Sequence, residues 1–294
     1  FRSQVTRLAL EKVDMNRWEI LDESKREDLG FQTLTETYES IHFPENRDDL
    51  LKSKYELSFR KWFIHEFASQ EMKRERQSKS SPLMTKVDFT PYIESLPFVL
   101  TGDQKKSILE IEQDLLAPSP MNRLLQGDVG SGKTVVSLAA AYMALGNGYQ
   151  VALMAPTEVL AQQHYQLAKT IYGQLGFQVV IVTGSSTNED RKLFQSAAMM
   201  KDPSLLIGTH TLFQDGVEFA NLGLVIMDEQ QRFGVAQRAR LQGKAHVANT
   251  LILSATPIPR TLSLIENGDL DASIINELPR LRLLWSIGDM RSVC

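Results

Sequence analysis

Cysteine is almost missing from this chain. A single one, Cys294, stands at the end of 294 residues, so no internal disulfide can form and a reducing, cytoplasmic compartment is expected. No apolar run approaches the length that crosses a bilayer, and the opening FRSQVTRLALEK has no signal-peptide core, so no membrane partner is expected. There is no basic excess either. The formal net charge is −4, so no overall field draws nucleic acid, although a local face still can. The five histidines show no metal-ligand spacing and the one thiol is terminal, which argues against a zinc site or a cysteine nucleophile. No internal repeat is visible. What remains is ordinary for a globular chain, 43% hydrophobic and 23% charged, with length for one large or two ordinary domains.

Against that plain background one stretch stands out, LLQGDVGSGKT, Leu124 to Thr134. It fits the phosphate-binding loop: Gly127, four residues (Asp128, Val129, Gly130, Ser131), then Gly132-Lys133-Thr134. Glycines let backbone N–H groups turn inward onto phosphate oxygens. Lys133 can reach the β and γ phosphates, and the Thr134 hydroxyl can ligate Mg²⁺. An apolar stretch precedes the loop and a helical one follows it, the context this motif requires.

The chain before the loop reads as helical. Leu34, Tyr38 and Ile41 have helical spacing, and HFP (His42 to Pro44) stops them. Asn46 reads as an N-cap for a long helix to about Gln77. On it Leu51, Tyr55, Phe59, Phe63 and Phe67 recur at a step of four and are read as core packing. SKSSP, Ser78 to Pro82, is a polar linker and marks the domain boundary. The expected domains are therefore a helical connector over 1–82, an α/β domain over 83–279, and an unmatched, disordered tail over 280–294.

Within the α/β part, Thr101 opens a helix, with Gln104 at capping-box spacing. Strands are expected at MNRLLQ before the loop, then at Val151–Pro156, Val179–Gly184, Leu205–His210, Leu222–Glu229, Thr250–Thr256 and Ala272–Leu278. Helices fall between them, the first from the phosphate loop through Ala144, the next two capped by Thr157 and Thr187, the later ones near Val235–Leu241 and from Pro259. This alternation implies a parallel sheet covered by helices on both faces. Ligands of such sheets bind at the carboxyl ends of the strands. The phosphate loop, Thr157, His210, Asp228-Glu229 and Ser254–Thr256 all fall at such ends. LVIMDE delivers two carboxylates at a strand tip: Asp228 suits the Mg²⁺ shell, and Glu229 suits the activation of an attacking water.

With these residues assembled, the chain resembles superfamily 2 helicases, and within them the bacterial branch-migration helicases. The resemblance rests on LPFVLTGDQ (Leu96 to Gln104), PMNRLLQGDVGSGKT (Pro120 to Thr134), MAPTEVLAQQH (Met154 to His164), GTHTL (Gly208 to Leu212), DEQQRFGVAQR (Asp228 to Arg238) and SATPIPRTL (Ser254 to Leu262). It implies a RecA-like motor domain that uses ATP and Mg²⁺ and acts, as a monomer, on branched or forked DNA in recombination and repair. Gln104 then matches the glutamine that reads adenine, and its capping-box reading is the competing one. Ser254 and Thr256 match the motif that couples hydrolysis to domain movement. Pro156, Thr157, Gly208, Thr209 and His210 match motifs that face the DNA backbone, where small residues and hydroxyls suit phosphate contacts.

Two departures from the family pattern matter. The family's DEQH is Asp228-Glu229-Gln230-Gln231 here, and Gln231 can hydrogen-bond but cannot titrate, which bears on coupling. After INELP the family continues into a second motor domain, whereas RLRLLWSIGDMRSVC matches nothing in it and reads as a frameshift or truncation. A missing second domain implies a missing arginine finger, and so slow hydrolysis at best. Two further readings stay open, a nucleotide-dependent binding module without motor activity and a helicase of the transcription-repair coupling type, which shares the GKT and ATPIPRTL segments. A small-molecule kinase is disfavoured, because SATPIPRTL has no role in one.

Overall fold

The computed structural model describes residues 2–213, 217–228, 248–255 and 270–278. Two compact units divide between Lys73 and Arg74, ahead of the polar segment Ser78–Pro82.

The first unit is helical. It comprises α1 (Arg2–Lys12), α2 (Glu23–Asp28), α3 (Leu34–His42) and most of α4 (Arg47–Gln77). Local capping explains the starts. Asp22 accepts from the Lys25 N–H, Thr33 and Glu36 form a capping box, and Asn46 Oδ1 accepts from the Asp49 N–H at 2.9 Å. The helix α3 stops at Phe43, before Pro44.

The aromatic row of α4 is not the core that its spacing predicts. Leu51, Tyr55 and Phe67 are 54%, 64% and 60% exposed, and Phe59 and Phe63 are half-buried. The reason is geometric: a step of four advances each residue about 40° round the helix, so five residues sweep about 160° and cannot share one face. The buried row is polar instead, with Ser53, Glu56 and Arg60 at helical spacing. Arg60 donates to Glu19 Oε1 and Oε2 at 3.1 and 3.0 Å and to the Gln32 carbonyl at 2.6 Å. Glu56 Oε2 accepts from the Gln32 N–H and the Thr37 hydroxyl, at 3.1 and 2.9 Å. Buried charges persist only when paired in this way. Burial alone would raise the Glu19 carboxyl, but the Arg60 guanidinium outweighs it with help from backbone N–H groups, and the pKa is lowered.

The second unit is an α/β domain. In chain order it holds α5 (Thr90–Glu94), α6 (Gly102–Leu115), β1 (Asn122–Gly127), α7 (Lys133–Gly146), β2 (Gln150–Met154), α8 (Glu158–Leu175) and β3 (Gln178–Val182). There follow α9 (Asn188–Met199), β4 (Ser204–Gly208), β5 (Leu222–Asp228), β6 (Asn249–Ser254) and β7 (Asp271–Ile275). The strands form one sheet in the order β3-β4-β2-β5-β6-β1-β7, with every described pairing parallel. Helices expected near Val235 and from Pro259, and the tail from residue 280, lie outside the described residues.

Period-two alternation sends neighbouring residues to two separate cores. Leu125, Val151, Leu153, Leu205, Ile226 and Leu253 pack on the face that carries α6, α7 and α8. Leu124, Ala152, Met154, Leu206, Val225 and Ile252 pack on the opposite face, with Phe194 and Ala198 of α9. Both faces are therefore covered, which is why β2 and β4, apolar apart from their first residues Gln150 and Ser204, are buried throughout. Behind the loop, α7 is buried on nearly all sides. Two fully buried tyrosines pin it: Tyr92 donates to the Val135 carbonyl at 2.6 Å and Tyr172 donates to the Leu138 carbonyl. Burial pushes both phenols well above the usual tyrosine range, so both remain donors.

Candidate nucleotide site

The strand order explains how residues far apart in sequence converge. The central neighbours β2, β5, β6 and β1 end, in that order, in Pro156-Thr157, Asp228, Ser254 and the phosphate loop. Register keeps the tips level: Asp228 pairs with Leu253, and Gln126 pairs with Ser254. Ser254 thus sits on the strand between the loop and Asp228. Gly208 ends β4, and Thr209 and His210 follow it, beside Thr157 just past the end of β2.

The loop from Gly127 to Thr134 needs its glycines for distinct reasons. Gly130 and Gly132 have φ of 80° and 89°, in the left-handed region that side chains disfavour. At Gly132 a Cβ would also overlap the Gln104 amide, and at Gly127 a Cβ would fall 2.9 Å from the Ile275 carbonyl oxygen. Lys133 Nζ donates to the Gly127 and Asp128 carbonyls at 2.7 and 2.9 Å, which holds the ammonium over the loop. Val129 is exposed at the loop's rim. The buried Ser131 hydroxyl has no hydrogen-bond partner among the described residues, and buried polar atoms without one are uncommon. A loop that narrow, with a lysine and Thr134 opening the next helix, fits a triphosphate with its cation.

Gln104 does what its capping-box reading requires, and more. Its Oε1 accepts from the Thr101 N–H at 2.9 Å, the Thr101 hydroxyl accepts from the Gln104 N–H, and Nε2 donates to the Ser131 carbonyl at 2.8 Å. The side chain therefore braces the start of α6 against the phosphate loop. One amide lone pair and one N–H remain in its hydrogen-bonding capacity, so capping and adenine contact are not exclusive in principle. With Gln104 only 1% exposed, an adenine contact requires the brace to open.

The residues expected to face DNA fall into two kinds. Thr157 caps α8, its hydroxyl accepting from the Leu160 N–H at 3.2 Å. Next to it, Glu158 accepts from the Ser185 hydroxyl and N–H at 2.5 and 3.2 Å, and that hydroxyl bond holds its carboxyl below the usual range. Gly208 packs so tightly on β3 that a Cβ would overlap the Val182 carbonyl. His210 is exposed. The Thr209 hydroxyl, by contrast, is buried and bonded to Thr211, so its side chain does not reach the surface. Glu229, Gln231 and Thr256 lie outside the described residues.

Sequence reading passed over two features. The imidazole of His164 meets the Asp228 carboxylate, Nε2 to Oδ2 at 2.8 Å. The available signal was a lone histidine in the buried row Ala161, His164, Ala168, Ile171 of α8. Asp103 Oδ2 accepts from the Asn276 and Glu277 N–H groups at 2.8 and 3.0 Å, and Glu277 accepts from the Asp103 N–H. This reciprocal clasp ties the start of α6 to the chain leaving β7. Among the described residues no carboxylate, histidine and cysteine group forms a metal cage, and no helix is long and apolar enough to cross a membrane.

A parallel sheet with a phosphate loop on one strand and an aspartate two strands away defines a phosphate-loop nucleotide-binding domain. Residues 101–265 match the model of the DEAD/DEAH box helicases, and the chain belongs to that family. Among curated proteins it is similar to the ATP-dependent DNA helicase RecG of Staphylococcus aureus strain MRSA252, 42% identical over 284 residues, which are 96% of this chain and 41% of that protein. The RecG of a Synechocystis species is 44% identical over 266 residues, covering 88% of this chain and 32% of the relative. Among solved structures, RecG bound to a three-way DNA junction superposes with a TM-score of 0.76 at 34% identity, covering 93% of this chain and 40% of that one. The DNA-bound helicase MrfA, at 14% identity and a TM-score of 0.52, shares the fold. This chain spans about two fifths of the Staphylococcus aureus relative and about a third of the Synechocystis one.

Proposed function

We propose that this chain is the first motor domain of a RecG-type helicase, which uses ATP–Mg²⁺ to remodel branched or forked DNA. The observation that supports this best is the alignment of the phosphate loop, Ser254 and Asp228 on three adjacent parallel strands. In this reading the 127–134 backbone and Lys133 hold the phosphates, Thr134 and Asp228 serve Mg²⁺, and Glu229 activates the attacking water. Gln104 approaches adenine once its brace opens. Gln231, Ser254 and Thr256 pass the state of the nucleotide to the rest of the motor. Pro156, Thr157, Gly208 and His210 contact the DNA backbone, with Thr209 contributing through its main chain; such contacts position a strand without reading its sequence.

The test is Lys133→Ala. A fluorescent ATP analogue is expected to bind the parent chain and to lose binding in the variant. Unchanged affinity in Lys133→Ala would rule out the site.

A further inference from the structure

His164 is the one polar side chain among small and apolar neighbours in the first half of the buried face of α8. A polar group in such a row costs stability unless it is partnered. Its partner is the Asp228 carboxylate at 2.8 Å, and the two side chains are 7% and 14% exposed. An imidazole N–H facing a carboxylate oxygen donates to it, and one carboxylate oxygen is thereby held. The meeting follows from topology. β2 and β5 are hydrogen-bonded neighbours, and α8 follows β2 directly, so its second turn passes the tip of β5. Thr157, at the capped end of the same helix, lies about two turns from His164.

We propose that His164 is the positioning residue for Asp228. Its N–H holds Oδ2, fixes the carboxylate's rotation, and so presents the remaining oxygen, Oδ1, to the Mg²⁺ that accompanies ATP. The inference rests on the nucleotide-site reading above. Hydrogen-bonded partners behind a metal ligand act in this way, orienting the ligand without touching the metal.

The experiment measures binding of a fluorescent ATP analogue by this chain, with Mg²⁺ and with EDTA, for the parent, Lys133→Ala, His164→Ala and His164→Gln. Gln keeps a side-chain N–H of similar reach. His164→Ala is expected to lose roughly 10-fold of the Mg²⁺-supported affinity, the low end for removing such a partner, while its EDTA affinity stays at the parent value. His164→Gln is expected to recover most of that loss. Parent-like Mg²⁺ dependence in His164→Ala overturns the inference, and so does an equal loss in EDTA, which a merely structural role would produce. If His164→Ala does not fold, His164→Gln decides alone: near-parent Mg²⁺ dependence supports the inference and a full loss overturns it. Lys133→Ala separates the two levels. Retained binding there removes the nucleotide site itself, whereas lost binding there with indifferent His164 variants removes only the role of His164.

Discussion

Two residues of the site are constrained by their neighbours more tightly than a motif pattern conveys. Gly132 has a left-handed backbone and touches the Gln104 amide, which is itself held by two hydrogen bonds. A methyl group there meets both strain and overlap. Gly132→Ala is expected to destabilise the second unit by about 2 kcal/mol or more, since left-handed backbone alone costs about 1–2 kcal/mol; urea unfolding measures it. Gln104→Ala separates two roles. Loss of the cap and the brace is expected to cost about 1 kcal/mol. On the proposed reading the variant also loses preference for ATP over GTP, measured by competition. A stability loss with unchanged preference would leave Gln104 with the brace alone.

Among the elements, α4 shows how a hydrophobic pattern misleads. Its aromatic row winds round the helix, and its buried row holds Glu56 and Arg60. Phe67→Ala is therefore expected to change stability by less than about 1 kcal/mol, against the roughly 3–5 kcal/mol of a core phenylalanine. Arg60→Leu is expected to cost about 3 kcal/mol, because it removes the buried guanidinium that pairs with both Glu56 and Glu19. The same network sets a pH dependence. Glu19 has a lowered folded-state pKa, so its contribution is complete above the ordinary glutamate value of 4.5. It is lost as pH falls through the lowered folded value. Thermal melts of the parent at pH 6 and at pH 3 are expected to differ by more than those of Arg60→Leu.

Across the whole molecule, the net charge of −4 and the proposed DNA contacts belong together. Pro156, Thr157, Gly208, Thr209 and His210 include no lysine or arginine, so few counterions are displaced. The affinity of this chain for single-stranded DNA is expected to fall with salt at a log–log slope of about −2 or shallower, where each neutralised phosphate contributes about −0.7. A steep slope, measured by fluorescence anisotropy from low to moderate salt, would point to a basic surface elsewhere.

The parallel α/β domain, its capped helices and the phosphate loop were legible in the chain itself, because they rest on local chemistry. Glycine spacing, N-cap residues and apolar runs of strand length act within a few residues of one another. The sequence could also place Asp228 and Ser254 at strand ends. Only the tertiary structure decided which ends are neighbours: β6 lies between β1 and β5, and β2 brings α8 and His164 onto Asp228. It also decided that Gln104 braces the loop, that Asp103 clasps the exit from β7, and that α4 buries charge in place of rings. Strand order and helix azimuth arise from how whole faces pack, and a linear pattern does not record which face meets which.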